Sequence, residues 1–185
     1  MDIQSVTALL ILGVLLPLWI LFGLADWYQH RKTSIQTTSG WRESALHLLL
    51  TAEAGVAVLA ALYLEINSLV LALGIGAFVA HEITTGLDVG YATDRRQVSA
   101  TEQRIHDYLT AIPLSILLLM CATHPAALFG LLGIGDTPAD FSIRMKSPPL
   151  PGWYLAGFLA LCALNALAFV EELIRCLRRN PARSY

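Results

Sequence analysis

Two short stretches of the sequence each place a glutamate four residues before a histidine, at the point where an apolar run begins. Glu43 and His47 do so in GWRESALHLLL, and Glu102 and His106 do so in TEQRIHDYLTAIPL. Residues four positions apart lie on one face of a helix, so each stretch presents a carboxylate and an imidazole together. Such pairs are typical metal ligands, because both groups bind metals such as iron, manganese and zinc.

Two more pairs stand where other apolar runs end. Asp26 and His30 are four residues apart, and His81 and Asp88 are seven apart, so each pair again shares a helix face. A helical rise of about 1.5 Å per residue sorts the eight residues into two layers, roughly 6–10 Å apart in height. The outer layer is His30, Glu43, Asp88 and Glu102, and the inner layer is Asp26, His47, His81 and His106.

Eight candidate ligands are too many for one ion and indicate two metal ions, which carboxylates can bridge. Iron is favoured, with zinc or manganese as alternatives, and the three cysteines form no C-x-x-C pair that would indicate thiolate ligation. The pattern is similar in architecture to four-helix bundles that hold carboxylate-bridged di-iron sites. Those bundles use Glu-x-x-His, whereas this chain has Glu-x-x-x-His.

The same residues also have structural explanations. Ser99 and Glu102 match a capping box, in which Glu102 would only terminate its helix. Glu43 follows Gly40 by three residues and could favour the start of its helix electrostatically. A single histidine in an apolar span is more often buried and hydrogen-bonded than a metal ligand. The metal hypothesis depends on the joint arrangement, because ionisable groups inside a membrane are costly and usually functional.

Five further polar residues lie close to these pairs. Glu53 falls near the middle of the bilayer, where a carboxylate is costly unless it is protonated or hydrogen-bonded. Glu82 and Asp107 adjoin candidate ligands in sequence, and we expect them to orient the ligand imidazoles. Arg95 and Arg96 stand in a polar connector and are candidates for binding an anionic substrate or a lipid headgroup.

The composition is that of a membrane protein. Of 185 residues, 56% are hydrophobic and 14% are charged, and the mean hydropathy is +0.60. The net charge of −2 gives no indication of nucleic-acid binding. We therefore predict an all-α integral membrane protein with five transmembrane helices, four of which form a metal-binding bundle.

The predicted single transmembrane domain covers residues 1–185. Each span needs roughly 20 mainly apolar residues. The predicted spans are about 4–25, 44–64, 67–87, 105–123 and 152–173. A short turn joins the second and third spans, and a Pro/Gly-rich loop from His124 to Gly152 precedes the fifth.

Basic residues predict the orientation of these spans. Ten fall on one side, namely Arg31, Lys32, Arg42, Arg95, Arg96, Arg104, Arg175, Arg178, Arg179 and Arg183, and only Arg144 and Lys146 fall on the other. Positive residues concentrate on the cytoplasmic side. We expect an N-terminus outside and a C-terminus in the cytoplasm, in a bacterial inner membrane or its equivalent.

The favoured function is a di-iron-type membrane oxidoreductase that acts on a lipid-soluble substrate from the bilayer. A metal-dependent membrane hydrolase is an alternative, because the same ligands could hold zinc or manganese and activate water. A second alternative is an electron carrier with bis-histidine heme b, and a metal transporter or sensor is a third. The sequence makes no prediction about the oligomeric state.

Overall fold

A computed structural model describes residues 2–179 of the chain, in which helices form almost all of the regular structure. Arg183, one of the ten basic residues above, lies outside the described residues. The helices are α1 (Ile3–Lys32), α2 (Trp41–Tyr63), α3 (Ser68–Thr93), α4 (Ala100–Thr123), α5 (Pro125–Leu132) and α6 (Gly152–Arg178). The prediction of an all-α protein is confirmed.

Five of these helices, α1 to α4 and α6, are long and apolar enough to cross a membrane. Their outward faces carry exposed side chains such as Leu21, Val56 and Leu167, which is consistent with contact with a lipid bilayer. Five predicted spans are thus confirmed in number, but α4 begins at Ala100 instead of near residue 105, and three other helices extend further than predicted at their C-terminal ends. They end at Lys32, Thr93 and Arg178 instead of near residues 25, 87 and 173, because hydropathy marks the apolar stretch while backbone hydrogen bonding continues through polar residues.

α1 contains one turn of π-helix, Ile11–Leu15, directly before Pro17. Proline has no N–H group and its ring clashes with the carbonyl four residues earlier, so the preceding turn widens. Trp19, Asp26 and His30 all follow this turn and belong to one regular segment, Leu16–Lys32.

The five long helices form a closed ring in which α1 adjoins α4, α4 adjoins α3, α3 adjoins α2, α2 adjoins α6, and α6 adjoins α1. The five long helices alternate in direction along the chain; the connections between α1, α2, α3 and α4 are short, and a longer segment that contains α5 joins α4 to α6. The C-terminal ends of α1, α3 and α6 and the N-terminal ends of α2 and α4 therefore meet at one end of the ring. A buried apolar group of Leu16, Ile20, Leu62 and Phe158 lies deeper in the interior.

The connection before α6 differs from the predicted loop. Pro125 begins the short helix α5, and Gly133 ends it with a φ of 66°, a left-handed conformation that favours glycine. The predicted Pro/Gly-rich loop from His124 to Gly152 therefore contains a short helix in its first part. The rest of this segment is attached to the end of α2 by a bridge between Leu64 and Met145.

Candidate metal centre

Eight ionisable side chains meet where the five helix ends converge. Each of them is buried, with no more than 9% of its surface exposed. They are Asp26 and His30 from α1, Glu43 and His47 from α2, Asp88 from α3, Glu102 and His106 from α4, and Glu172 from α6. We call these eight residues the polar cluster. Seven of them are among the eight ligands predicted from the sequence, and all five long helices contribute instead of four.

His30 lies at the centre of the polar cluster and has no exposed surface. Its Nε2 atom is 3.2 Å from Oε1 of Glu102 and 3.6 Å from Oδ1 of Asp26. The His30 ring stacks on the His47 ring, with 4.2 Å between ring centroids and 11° between planes. The two imidazoles are therefore stacked face to face, and their Nε2 atoms face different carboxylates.

Glu172 connects these two histidines from the opposite edge. Its Oε1 atom is 2.8 Å from Nδ1 of His47, and its Oε2 atom is 3.4 Å from Nδ1 of His30. A carboxylate that accepts a hydrogen bond from the Nδ1–H group of an imidazole fixes the tautomer and leaves Nε2 free as a ligand. Glu172 thus hydrogen-bonds to Nδ1 of His47 and faces Nδ1 of His30 at a longer distance, and this placement directs both Nε2 atoms into the cluster.

The Nε2 atoms of the other two imidazoles also face carboxylates. Nε2 of His47 is 3.3 Å from Oδ1 of Asp88, and Nε2 of His106 is 3.1 Å from Oδ1 of Asp26. Asp26 therefore lies between His30 and His106. Every imidazole of the cluster has at least one carboxylate oxygen within 3.6 Å of a ring nitrogen.

Several of these facing atoms make no hydrogen bond. Within residues 2–179, neither ring nitrogen of His30 has a hydrogen-bond partner, and the same holds for Nε2 of His47 and Oδ1 of Asp88. Ligands about 2.1 Å from a metal lie about 3.0–3.4 Å from one another in octahedral or tetrahedral geometry. The separations of 3.1–3.6 Å are close to this range.

Among residues 2–179, two groups of three residues bring ligand atoms close enough to hold an ion. Asp26, His30 and His106 form one, and His30, Glu43 and His47 form the other. In each group the ligand atoms lie within 4.8 Å of one another. His30 belongs to both groups, so the two candidate positions are neighbours.

Arg96 closes the cluster from the loop between α3 and α4. Its guanidinium nitrogen Nη2 lies 2.5 Å from Oε1 of Glu43 and 2.5 Å from Oε1 of Glu102, and its side chain is 4% exposed. Burial opposes the charge on Arg96, but the hydrogen bonds to Glu102 and Glu43 outweigh it, and the pKa of Arg96 is raised. Arg96 is therefore always positively charged and offsets part of the negative charge of the cluster. Its contacts with Glu43 and Glu102 keep its guanidinium buried.

The charge balance of the polar cluster depends on whether its imidazoles are protonated. Its five carboxylates face one guanidinium, so four negative charges are left when all five are ionised and the imidazoles are neutral. Uncompensated buried charge is strongly unfavourable. Two divalent cations would match this charge in magnitude.

The capping role considered for Glu102 accounts for only part of its position. Oγ of Ser99 accepts a hydrogen bond from the Glu102 N–H, which is one half of a capping box. The Glu102 carboxylate does not close the box and instead contacts Arg96 and His30. Its side chain is thus directed into the cluster.

His81 lies apart from the polar cluster. Its Nδ1 atom is 3.9 Å from Oε2 of Glu53, which also accepts a hydrogen bond from Thr84 at its other oxygen. The edge of the Trp19 ring packs against the His81 ring. Glu53 and His81 therefore form a separate polar pair, deeper in the ring of helices.

The other residues predicted near the ligands lie outside the polar cluster. Arg95 is exposed and stacks on the ring of Tyr91, 3.6 Å from its centroid. Asp107 is exposed as well. Among the described residues, neither Asp107 nor Glu82 is joined to the cluster by a hydrogen bond or an ion pair.

Glu172 was absent from the sequence prediction. It has no histidine three or four residues away, so a search for paired ligands does not find it. Its position in the sequence was the available signal. Glu171 and Glu172 follow the last apolar run, and the predicted orientation of that span places them at the same end of the bundle as the other candidates. Glu171 is half exposed and bonds to Trp27 and Arg31, so only Glu172 faces inward.

An apolar cavity of about 360 Å³ adjoins the polar cluster from inside the ring. Asp26, His47, Asp88 and His106 line its polar end. Apolar side chains such as Leu50, Leu109 and Phe158 line the rest of the cavity. Its volume is in the range of small-molecule sites, and its lining is suited to an apolar ligand.

No protein-family model, curated protein or solved structure matches this chain. The arrangement described above is therefore the basis for assigning a function.

Proposed function

We propose that the polar cluster holds two divalent transition-metal ions, with iron favoured and zinc or manganese as alternatives. The observation that carries this proposal is the set of buried, facing ligand atoms without hydrogen-bond partners on His30, His47 and Asp88. Buried polar atoms are normally hydrogen-bonded, and metal coordination satisfies such atoms equally well. With neutral imidazoles, the four negative charges that Arg96 does not offset support two ions instead of one.

The proposed ligands are Asp26, His30, Glu43, His47, Asp88, Glu102 and His106. Glu172 orients two of the imidazoles, and Arg96 holds Glu43 and Glu102 in place. Imidazole and carboxylate ligands without thiolates suit iron, manganese and zinc. A change in metal availability would therefore change which of these ions is found, but not the number of ions.

The proposed activity is oxidation of a lipid-soluble substrate with O₂ at a di-iron centre. The cavity of about 360 Å³ supports this proposal, because it leads from the apolar interior directly to four of the proposed cluster residues. An apolar substrate could reach the metals through this cavity without crossing the aqueous surface. Hydrolysis of a lipid ester by the same site loaded with zinc or manganese is the alternative activity.

Heme is less well supported than separate metal ions. His30 and His47 stack in parallel with 4.2 Å between centroids, so their Nε2 atoms are not opposed across a space that a porphyrin could fill. His81, which the heme hypothesis needs as a fourth ligand, lies outside the cluster beside Glu53.

An oxygen-uptake measurement tests the proposed activity. Protein loaded anaerobically with Fe(II) in vesicles made from extracted membrane lipid should consume O₂ at a rate that falls at least tenfold in His47→Ala. Asp107→Asn, which changes an exposed carboxylate on the same end of the molecule, should retain the wild-type rate. Equal O₂ uptake by wild type and His47→Ala would contradict an activity at this site. Ester hydrolysis by zinc-loaded protein, with no O₂ uptake by the iron form, would favour the alternative.

We also propose that the metal centre faces the cytoplasm. The basis is the bias of basic residues toward that end of the ring. In a variant without the native cysteines, Thr93→Cys should resist membrane-impermeant thiol reagents in intact cells. Ser147→Cys, an exposed position on the opposite side, should react readily. The reverse labelling pattern would place the metal centre on the outer side.

A further inference from the structure

A second polar site lies deeper in the ring than the polar cluster. Glu53 is six residues beyond His47 on α2, and His81 is seven residues before Asp88 on α3. At about 1.5 Å per residue, the Glu53–His81 pair is about 9–10 Å from the cluster along the helices. Both residues are only partly exposed, with side-chain exposures of 15% and 12%.

The two side chains present unused hydrogen-bonding atoms to each other. In the described part of the chain, Oε2 of Glu53 and Nδ1 of His81 have no hydrogen-bond partner. The 3.9 Å between them is too long for a direct hydrogen bond. One oxygen atom about 2.8 Å from each of them would bridge the pair. The other oxygen of Glu53 is already held by the Thr84 hydroxyl at 2.9 Å.

Two apolar cavities adjoin at this pair. One is the cavity of about 360 Å³ that reaches the polar cluster, and the other has a volume of about 270 Å³ and extends toward the opposite end of the ring. Four residues line both cavities, namely Trp19, Ala54, Val58 and His81. Glu53 lines the second cavity. A molecule in the 270 Å³ cavity therefore contacts both members of the pair, and a molecule in the 360 Å³ cavity contacts His81.

We propose that this site binds an apolar molecule through a single hydroxyl group. The hydroxyl donates its hydrogen bond to Oε2 of Glu53, and its oxygen accepts one from the Nδ1–H group of His81. The apolar body fills one of the two cavities. The Glu53 carboxylate disfavours an anionic head, and a lone water would leave the apolar volume on both sides unfilled. Phenols, quinols and long-chain alcohols share the required chemistry.

This site is independent of the proposed metal centre. Neither Glu53 nor His81 belongs to either group of metal-ligand candidates. Binding is therefore expected in the metal-free protein as well as in the metal-loaded protein. Failure of ligand binding would leave the metal proposal intact, and absence of metal would leave this proposal intact.

Trp19 provides a local reporter for the experiment, because its ring centroid is 6.2 Å from that of His81 and it lines both cavities. The chain has four tryptophans, so Trp27→Phe, Trp41→Phe and Trp153→Phe leave Trp19 as the only one. This variant in lipid vesicles is titrated with 4-(6-bromohexyl)phenol, whose bromine quenches tryptophan fluorescence. The methyl ether of the same compound lacks the O–H group and measures quenching by partition into the bilayer. Bromodecanol replaces the phenol in a third titration.

We expect the phenol to quench Trp19 fluorescence more strongly than its methyl ether does, and we expect this additional quenching to saturate. The result should be the same with and without metal. Glu53→Leu or His81→Leu should weaken this saturable component about tenfold, in line with loss of a hydrogen bond to a charged or polar partner. Glu82→Gln is the matched control, because Glu82 adjoins His81 in sequence but lines neither cavity among the described residues.

A stronger effect of the alcohol than of the phenol would identify an aliphatic ligand, and the reverse would identify an aromatic one. Equal quenching by phenol and ether, or no change in the Glu53 and His81 variants, would overturn the proposal and indicate that only water occupies the pair.

Discussion

The role assigned to Glu172 can be tested by the substitution Glu172→Gln. Gln keeps the size of the side chain and one oxygen acceptor, so it can still accept from one imidazole Nδ1–H group. The NH₂ group of the Gln then faces the Nδ1–H group of the other imidazole. Both groups are hydrogen-bond donors, so no hydrogen bond forms between them. The shorter contact is the one to His47, at 2.8 Å against 3.4 Å for His30, so we expect the amide oxygen to stay with His47 and His30 to lose its orientation.

The expected magnitude follows from the loss of a carboxylate that orients a ligand imidazole. Such changes weaken metal binding by about 10–100-fold, which corresponds to about 1.4–2.7 kcal/mol. Because His30 belongs to both groups of ligand candidates, the loss should affect both ions, whereas loss of orientation at His47 alone would affect one. The assay is a titration of metal-free protein with Fe(II) or Zn(II) against a chelator of known affinity, with ions bound per chain as the second readout.

Glu171→Gln is the matched control for this experiment. Glu171 is the neighbouring carboxylate on α6, but it is 41% exposed and bonds to Trp27, Arg31 and Arg175. Its replacement should leave metal affinity within about twofold of wild type, because exposed ion pairs contribute little. Equal affinity loss in the two variants, or unchanged metal affinity in Glu172→Gln, would refute the orienting role.

Three further predictions concern the other members of the cluster. Arg96→Gln should lower the free energy of unfolding of the metal-free protein by about 3–5 kcal/mol, because it leaves two buried carboxylates without their counter-charge. Added divalent metal should restore most of this stability in a thermal unfolding experiment. A variant that divalent metal does not stabilise would contradict this prediction. Glu43→Gln and Glu102→Gln should each lower the number of bound ions from two toward one with the helical content retained, and unchanged stoichiometry in both would contradict the dinuclear site. His106→Ala should lose metal with little loss of helical content by circular dichroism, while Asp107→Asn should retain both ions, and equal effects of the two would contradict the inward placement of His106.

Much of the fold was predictable because the apolar spans are long and the connections between the first four long helices are short. Length and hydropathy locate five helices, and their alternation brings a defined set of helix ends together. The pairs Asp26–His30, Glu43–His47 and Glu102–His106 were found for the same reason, since residues four apart share a face and stand at helix ends that must meet.

Three features depend on information that spacing does not carry. A separation of seven residues places His81 and Asp88 on one face, but about 10 Å apart along the axis, so His81 reaches Glu53 instead of the cluster. Glu171 and Glu172 differ by about 100° around their helix, and only packing against α1 and α2 decides which faces inward. Arg96 lies in a loop without periodicity, so its contact with both glutamates follows from tertiary structure alone.

Metal content measured in protein purified without added metal tests the central claim most directly. Elemental analysis of the wild-type chain in mild detergent should give close to two transition-metal ions per chain, with iron the main element. The competing explanation is a metal-free cluster in which protonated His30, His47 and His106 offset the carboxylates. Protein that contains no stoichiometric metal as purified, and that binds none after incubation with Fe(II), Mn(II) or Zn(II), would contradict the metal centre and favour that explanation.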